Sequence, residues 1–330
     1  MKRVYITDFF EGVPDIERKV LRGVATVTPL VRHREEDLLP AARDASALMV
    51  WHDITLSDKT FKRLSHLKIV VRCGVGFDNV DIKAAGKRDI IISNVPDYGV
   101  DEVADHALGL ALALTRKIRI YSRELGERGR SGWSWRVGKP LYRNRGRIFG
   151  VLGMGSIGMA TALRAKACGW RVIFCDPYLP SGFGKAVHCK RVEFDELLAK
   201  SDVLSLHTPL TEETRHIINA AAIAKMKRTA VLVNTSRGGV VDQKALLSAL
   251  LKKQIAGAGL DVLEQEPPRN DDPLLIAWRA GKLPNVILTP HAAFYSEDGF
   301  REMRAKAADE IRRVLSGGKS RNCVNRGFLK

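Results

Sequence analysis

No apolar run in this sequence approaches the roughly 20 consecutive residues that a membrane-spanning helix needs. A helical channel or carrier is therefore not the expected class. The N-terminus, Met1-Lys2-Arg3-Val4-Tyr5-Ile6, enters a strand-like pattern directly and lacks the apolar core of a signal peptide. The five cysteines (Cys73, Cys168, Cys175, Cys189, Cys323) have no CxxC spacing and are odd in number. That argues against a disulfide framework or a thiolate metal site, and for inert thiols in a reducing cytoplasm. No His/Cys spacing of the metal-ligating kind occurs, so no metal is expected. Internal repeats and low-complexity stretches are absent too.

Acidic residues are the remaining shortage. Asp and Glu number 37 against 54 Lys and Arg, for a formal net charge of +17. The excess is concentrated: between Arg116 and Arg147 eleven Lys/Arg face only Glu124 and Glu127. With Trp133 and Trp135 interleaved, the stretch has the composition of a nucleic-acid patch, yet no nucleic-acid motif accompanies it. A solvated basic face that attracts anionic substrates and cofactors is the preferred reading.

At 330 residues the chain exceeds what one hydrophobic core usually serves, and two domains are expected. Strand-like runs fall at 4–6, 47–50, 69–71 and 90–92, with helical stretches at 41–43 and 59–67, which suggests a small doubly wound α/β unit. Asp101 reads as the N-cap of a long helix from Glu102 to about Arg123, with Val103, Ala107, Leu110, Ala111, Leu114 and Ile118 on one stripe. From Arg147 onward strands at 148–152, 171–175, 203–206, 230–233, 258–262 and 286–289 alternate with helices starting near Ser156, Glu193, Ala220 and Asp242. Repeated βαβ order implies a parallel sheet covered on both faces. Ser296 caps a last helix that stops at Gly317-Gly318.

The most informative motif is Gly153-Met154-Gly155-Ser156-Ile157-Gly158, lying between a buried strand and a helix opening, with Asp176 following Gly158 by 18 positions. The first glycine allows a tight turn, the second lets backbone approach a pyrophosphate, and the third lets helix pack on strand. The free N–H groups of the helix start favour the anion. Asp176, as the ribose diol partner, would repel a 2′-phosphate, so NAD is expected over NADP.

Ligands in such sheets bind beyond the carboxyl ends of the strands, and polar residues gather there. They are His207-Thr208-Pro209, Asn234-Thr235-Ser236-Arg237, Asp261 with Glu264 and Glu266 beyond it, and Pro290-His291. His207 is expected to line the cofactor. Hydride transfer between nicotinamide and a 2-oxo acid needs a guanidinium to hold carboxylate and carbonyl. It also needs an imidazole to exchange a proton and a carboxylate to orient that imidazole. Arg237 and His291 supply the first two; spacing alone does not choose between Glu264 and Glu266 for the third.

At this point the chain resembles the D-isomer-specific 2-hydroxyacid dehydrogenases over nearly its whole length. The motifs are Gly74-Val75-Gly76-Phe77-Asp78-Asn79-Val80-Asp81, the glycine fingerprint, 234–242, 259–267 and Thr289-Pro290-His291. The resemblance implies Arg237, Glu266 and His291 as the catalytic set and leaves Glu264 solvated. It implies that Thr208, Pro209, Thr214, Thr235, Ser236, Arg237, Asp261 and His291 join the glycine loop around the cofactor. Backbone N–H groups at Val75-Gly76, with Arg237 and Phe294, would meet the substrate. The implied architecture is a Rossmann-type NAD domain, 102–291, inserted into a smaller flavodoxin-like α/β substrate domain, 1–101 plus 292–330. A homodimer is implied as well, with 116–147 as the arm that buries Trp133 and Trp135.

Within the family, Asp176-Pro177-Tyr178-Leu179, 291–297 and 322–325 are similar to the C-terminal-binding-protein-like branch. Animal corepressors of that branch carry Trp where Phe294 stands, so their oxo-acid preference does not transfer. The expected function is NAD-dependent reduction of a small 2-oxo acid of the glyoxylate, hydroxypyruvate or pyruvate type. The alternatives are an NAD(H)-sensing scaffold with little turnover and a phosphoglycerate dehydrogenase without an appended regulatory domain. Formate dehydrogenases resemble the fold but carry Gln at the position of Glu266.

Overall fold

The computed structural model describes residues 1–8 and 12–329. The chain divides into two compact units, Met1–Gly99 with Tyr295–Lys330, and Val100–Phe294.

The first unit is built on five parallel strands, β1 (Lys2–Ile6), β2 (Ala25–Pro29), β3 (Ala47–Val50), β4 (Ile69–Arg72) and β5 (Ile91–Asn94), in the order β2-β1-β3-β4-β5. That is the flavodoxin-like winding. The inner strands β3 and β4 are fully buried, as parallel strands covered on both faces must be. Leu48, Val50 and Val70 share a core with Phe61, Leu64 and Ile92. The C-terminal helix Glu297–Leu315 belongs to this unit, capped by the Ser296 hydroxyl on Gly299 N at 2.8 Å. It buries Glu310, whose carboxylate accepts from the Ser93 and Ser320 hydroxyls.

The second unit carries seven parallel strands: β6 (Ile148–Leu152), β7 (Arg171–Cys175), β8 (Lys190–Arg191), β9 (Val203–Leu206), β10 (Val231–Asn234), β11 (Gly257–Leu260) and β12 (Val286–Leu288). Their order, β12-β11-β10-β9-β6-β7-β8, is the Rossmann order extended by one strand. Alternation along each strand feeds two cores. Val231 and Val233 pack with Phe149, Phe174 and Leu110 on one face, while Leu232 packs with Leu204, Leu206 and Ile223 on the other.

Several elements differ from the sequence expectation. The long helix is two helices, Val100–Thr115 and Ile118–Arg128, broken at Lys117, which is left-handed at φ +53°. The buried stripe ends at Leu114; Ile118 is 55% exposed and the second helix buries nothing, so no packing keeps the two coaxial. Asp101 lies inside the first helix, where its carboxylate accepts from Arg164 Nη2 at 2.6 Å. The helix expected at 41–43 is Glu35–Ala41, started by the acidic first turn Glu35-Glu36-Asp37. Strands β2 and β8 were not expected. Both lie at sheet edges, where burial is thin: only Val27 of β2 is buried and neither residue of β8 is. No helix among the described residues is long and apolar enough to cross a membrane.

Asp202 ties the starts of β6 and β9 together. It accepts from Ile148 N at 2.9 Å, Arg147 Nη2 at 2.8 Å and Lys227 Nζ at 3.0 Å. Burial raises its pKa, but those hydrogen bonds outweigh burial and hold it below the usual carboxylate value. Because the folded value lies below the unfolded one, this stabilisation is present at neutral pH and lost as pH falls through the acid range. Asp202→Asn should cost about 2–3 kcal/mol in urea unfolding near neutrality. The gap to wild type should close below about pH 4. Equal midpoints at neutral pH would remove Asp202 from the account of stability.

Candidate active site

In the seven-stranded sheet the winding reverses between β6 and β9, which opens a crevice beyond their carboxyl ends. The glycine loop follows β6 there. Gly153 turns at φ +86°, and a Cβ on it would lie 2.9 Å from the His207 backbone carbon. A Cβ on Gly158 would overlap the Gly153 carbonyl, so helix and loop pack at backbone contact. Gly155, between them, has nothing within 4 Å of such a position. It is also the N-cap of the helix Ser156–Ala167 and offers no side-chain cap, which leaves the first N–H groups, Ser156 and Ile157 among them, for an anion.

Asp176 follows β7. Its carboxylate accepts from Met154 N at 2.8 Å and Tyr178 N at 3.1 Å, so the acidic residue also shapes the loop it serves. At the ends of β9 and β10 the Thr208 and Thr235 hydroxyl oxygens are buried without a hydrogen-bond partner, an arrangement that a bound polar ligand would relieve. These features fit a dinucleotide. Thr214 closes the loop after Pro209, donating to Pro209 O at 2.7 Å and accepting from Thr211 N at 2.8 Å. Ser236 donates to Asn234 Oδ1 at 2.8 Å, which shapes the turn after β10.

His207 Nε2 sits 2.8 Å from the Ser205 hydroxyl, and burial pushes the imidazole down to about 4. It stays uncharged where a protonated ring would be needed, so His207 is unsuited to acid/base work and suited to a wall.

The imidazole–carboxylate pair lies beyond β10, β11 and β12, which pair side by side in parallel. Asp261, at the end of β11, is 2% exposed. Its carboxylate accepts from the Thr289 hydroxyl at 2.6 Å, Ala292 N at 2.9 Å and Ala293 N at 3.0 Å. Its carbonyl accepts from His291 N at 2.7 Å. This suspension holds His291 in the left-handed region at φ +52°, which a non-glycine residue adopts only when its surroundings demand it. His291 Nδ1 lies 2.6 Å from Glu266 Oε2, and Glu266 Oε1 accepts from Leu263 N at 2.9 Å. The contact with Glu266 through Nδ1 fixes the orientation of the ring. The Phe294 ring meets the His291 ring edge-on at 6.3 Å. Arg237 stands at the end of β10, half-buried, with Nη1 donating to Ser236 O at 2.9 Å.

The geometry chooses Glu266 over Glu264 as the partner of His291. Glu264 is not simply solvated, however: its Oε1 lies 2.6 Å from His216 Nε2, and its N–H donates to Gln243 Oε1 at 3.2 Å. His216 therefore has a context that the sequence did not reveal, since its partner is 48 residues away. Val75 and Gly76 belong to the other unit, in the turn after β4, where the Asn94 amide donates to Val75 O at 2.7 Å. No group of three or more His, Cys, Asp or Glu among the described residues is placed to hold a metal. A cavity of about 700 Å³ lies at the opposite, amino-terminal edge of the seven-stranded sheet, lined by Lys117, Arg123, Trp170, Asp202 and Asn285 among others. The candidate chemistry is not there.

A nucleotide crevice beside an imidazole–carboxylate pair suits an oxidoreductase acting on CH–OH donors with NAD or NADP, and the comparisons with known proteins show that class. Residues 108–293 match the model of the D-isomer specific 2-hydroxyacid dehydrogenase NAD binding domain. The chain is 41% identical over 294 residues to a glyoxylate reductase from Korarchaeum cryptofilum, covering 89% of this chain and 86% of that one. It is 38% identical over 308 residues to a D-3-phosphoglycerate dehydrogenase from Methanocaldococcus jannaschii, covering 93% of this chain and 57% of that one. The chain belongs to the D-isomer specific 2-hydroxyacid dehydrogenase family. Neither of these named relatives is a C-terminal-binding protein.

Two solved structures share the fold over nearly the whole chain. The D-lactate dehydrogenase from Aquifex aeolicus, complexed with NAD and lactic acid, superposes with TM-score 0.86 at 27% identity, covering 98% of this chain and 99% of that one. The NADPH-dependent glyoxylate/hydroxypyruvate reductase from Sinorhizobium meliloti, with NADP and malonate, gives 0.84 at 28% identity, covering 100% and 98%.

The depressed His207 value carries a stability consequence. Between about 6.5 and about 4 the unfolded chain binds a proton that the folded chain refuses, so stability is full above that window and falls as pH drops through it. The loss is at most ~3 kcal/mol, less to the extent that solvent reaches the ring. In urea melts, wild type should lose more stability than His207→Gln between about pH 7 and about pH 4.5. Parallel losses in the two proteins would contradict the assignment.

Proposed function

We propose that this chain reduces a small 2-oxo acid of the glyoxylate, hydroxypyruvate or pyruvate type to the 2-hydroxy acid, with NADH as the preferred cofactor. The observation that carries the reading is the 2.6 Å His291–Glu266 pair, standing on the same strand edge as the glycine loop. When bound, the reduced nicotinamide supplies the hydride. Arg237 holds the substrate carboxylate and carbonyl through its paired N–H groups. His291 gives its Nε2 proton to the carbonyl oxygen as that oxygen gains charge, and regains it from solvent afterwards. Glu266 keeps the ring oriented through its 2.6 Å contact with Nδ1. Backbone N–H groups at Val75 and Gly76 are the proposed further contacts for the carboxylate, and Phe294 the apolar one.

Asp176 supports NADH over NADPH. Its negative charge follows β7 where the ribose diol would lie, and a 2′-phosphate there meets repulsion. A homodimer is the proposed assembly. Trp133 and Trp135 are 78% and 63% exposed in the single chain, on the basic segment that the resemblance identifies as an arm. Burial of their apolar surface favours a partner copy over bulk water for those rings.

The test is NADH oxidation with glyoxylate, hydroxypyruvate, pyruvate and 3-phosphohydroxypyruvate. Turnover with one of the first three is expected, with kcat/KM lowered at least about a hundredfold in Arg237→Ala. Asp176→Ala should narrow the preference for NADH over NADPH by about tenfold or more. NADH binding without turnover of any oxo acid would instead favour a sensing scaffold. Preference for the phosphorylated acid would make the chain a phosphoglycerate dehydrogenase.

A further inference from the structure

We infer that His106, on the helix Val100–Thr115, is a positioning residue for His291, acting through Thr289 and Asp261. The inference rests on reading His291 as the acid/base group. Proton counting carries it. The Thr289 hydroxyl has one proton, and its oxygen lies 2.6 Å from Asp261 Oδ1. A carboxylate only accepts, so that proton points at Asp261. His106 Nε2 lies 3.0 Å from the same hydroxyl oxygen, which has no second proton to offer. His106 Nε2 must therefore be the donor, and its tautomer is set. Its Nε2 is also 3.7 Å from Asp261 Oδ1.

The consequence reaches His291 by a short route. Asp261 Oδ1, which takes the Thr289 hydroxyl, also takes Ala292 N–H; Oδ2 takes Ala293 N–H; and the Asp261 carbonyl takes His291 N–H. The left-handed turn at His291 hangs from this one residue. His106 ties the assembly to a rigid element, because Val103, Ala104, Ala107 and Leu110 of its helix are buried. Without the imidazole the Thr289 hydroxyl loses the donor that orders its lone pairs, and the turn gains freedom to shift. A displacement well under an ångström at the proton donor slows the proton step more than it weakens binding. His106 touches neither reacting atom in this scheme; its effect is on alignment.

The experiment compares His106→Leu, His106→Gln and Thr289→Val in the full chain, with the best 2-oxo acid from the panel above. His106→Leu should lower kcat about tenfold while KM for the oxo acid and the NADH dissociation constant move less than about threefold. The glutamine amide places an N–H near the lost Nε2, so His106→Gln should recover most of kcat. Thr289→Val should resemble His106→Leu, and the double variant should be no worse than the poorer single, as members of one chain behave. Independently of activity, imidazole ¹⁵N shifts of the wild-type protein should report the Nε2–H tautomer at His106. Unchanged kcat in His106→Leu, a loss that glutamine does not restore, or an Nδ1–H tautomer would each overturn the inference. Absence of turnover in the wild-type chain would instead overturn the functional reading, and the tautomer measurement separates the two.

Discussion

A buried carboxylate, Asp261, holds the proposed reaction centre together. Taking an ionised group to 2% exposure costs several kcal/mol unless its oxygens are satisfied. Here a hydroxyl and two backbone N–H groups satisfy them, and the carbonyl of the same residue takes a third N–H. Three of those four donors, the N–H groups of His291, Ala292 and Ala293, belong to consecutive residues. The solvation that Asp261 requires is thus supplied by the segment whose shape the site requires. Moving His291 out of its left-handed conformation would strand the buried charge, which is why the strained conformation persists.

The seven-stranded sheet makes that arrangement possible. Parallel neighbours in register bring the ends of β10, β11 and β12 to one edge, where they deliver Arg237, Asp261 with Glu266, and His291. The same edge, at the reversal between β6 and β9, receives the glycine loop. Gly155 offers no side-chain cap to the first N–H groups of its helix, and the Thr208 and Thr235 hydroxyl oxygens are buried without partners. Open N–H groups and buried hydroxyls of this kind are what a bound dinucleotide would satisfy. The charge distribution runs along with this. An excess of 17 positive charges attracts small anions, and under the proposed preference for NADH Asp176 works against a third phosphate.

Much of this was legible in the sequence because the signals are local. Buried parallel strands such as Val203–Leu206 read as short apolar runs, and the glycines announce their own backbone requirements. Polar residues just past those runs fall on one edge by topology alone. The unexpected features depend on partners distant in sequence. The edge strand Ala25–Pro29 buries only Val27, so it has no apolar run to read. Periodicity carries on past Leu114, but the surface for it to pack on does not, and the helix breaks at Lys117. Glu264 resembles a solvated loop residue until His216 is brought to it by the fold. His106 resembles a packing residue until Thr289, 183 positions away, is seen beside it.

The suspension of His291 from Asp261 is tested most directly by kcat/KM for 2-oxo acid reduction in Asp261→Asn. The amide places an N–H₂ group where the carboxylate now accepts N–H bonds, so it turns an attraction into a collision of donors. The variant should remain folded by far-ultraviolet circular dichroism and lose at least about a hundredfold in kcat/KM, because the proton donor is misplaced. A folded Asp261→Asn protein that retains kcat/KM within about threefold of wild type would show that His291 does not depend on the buried carboxylate.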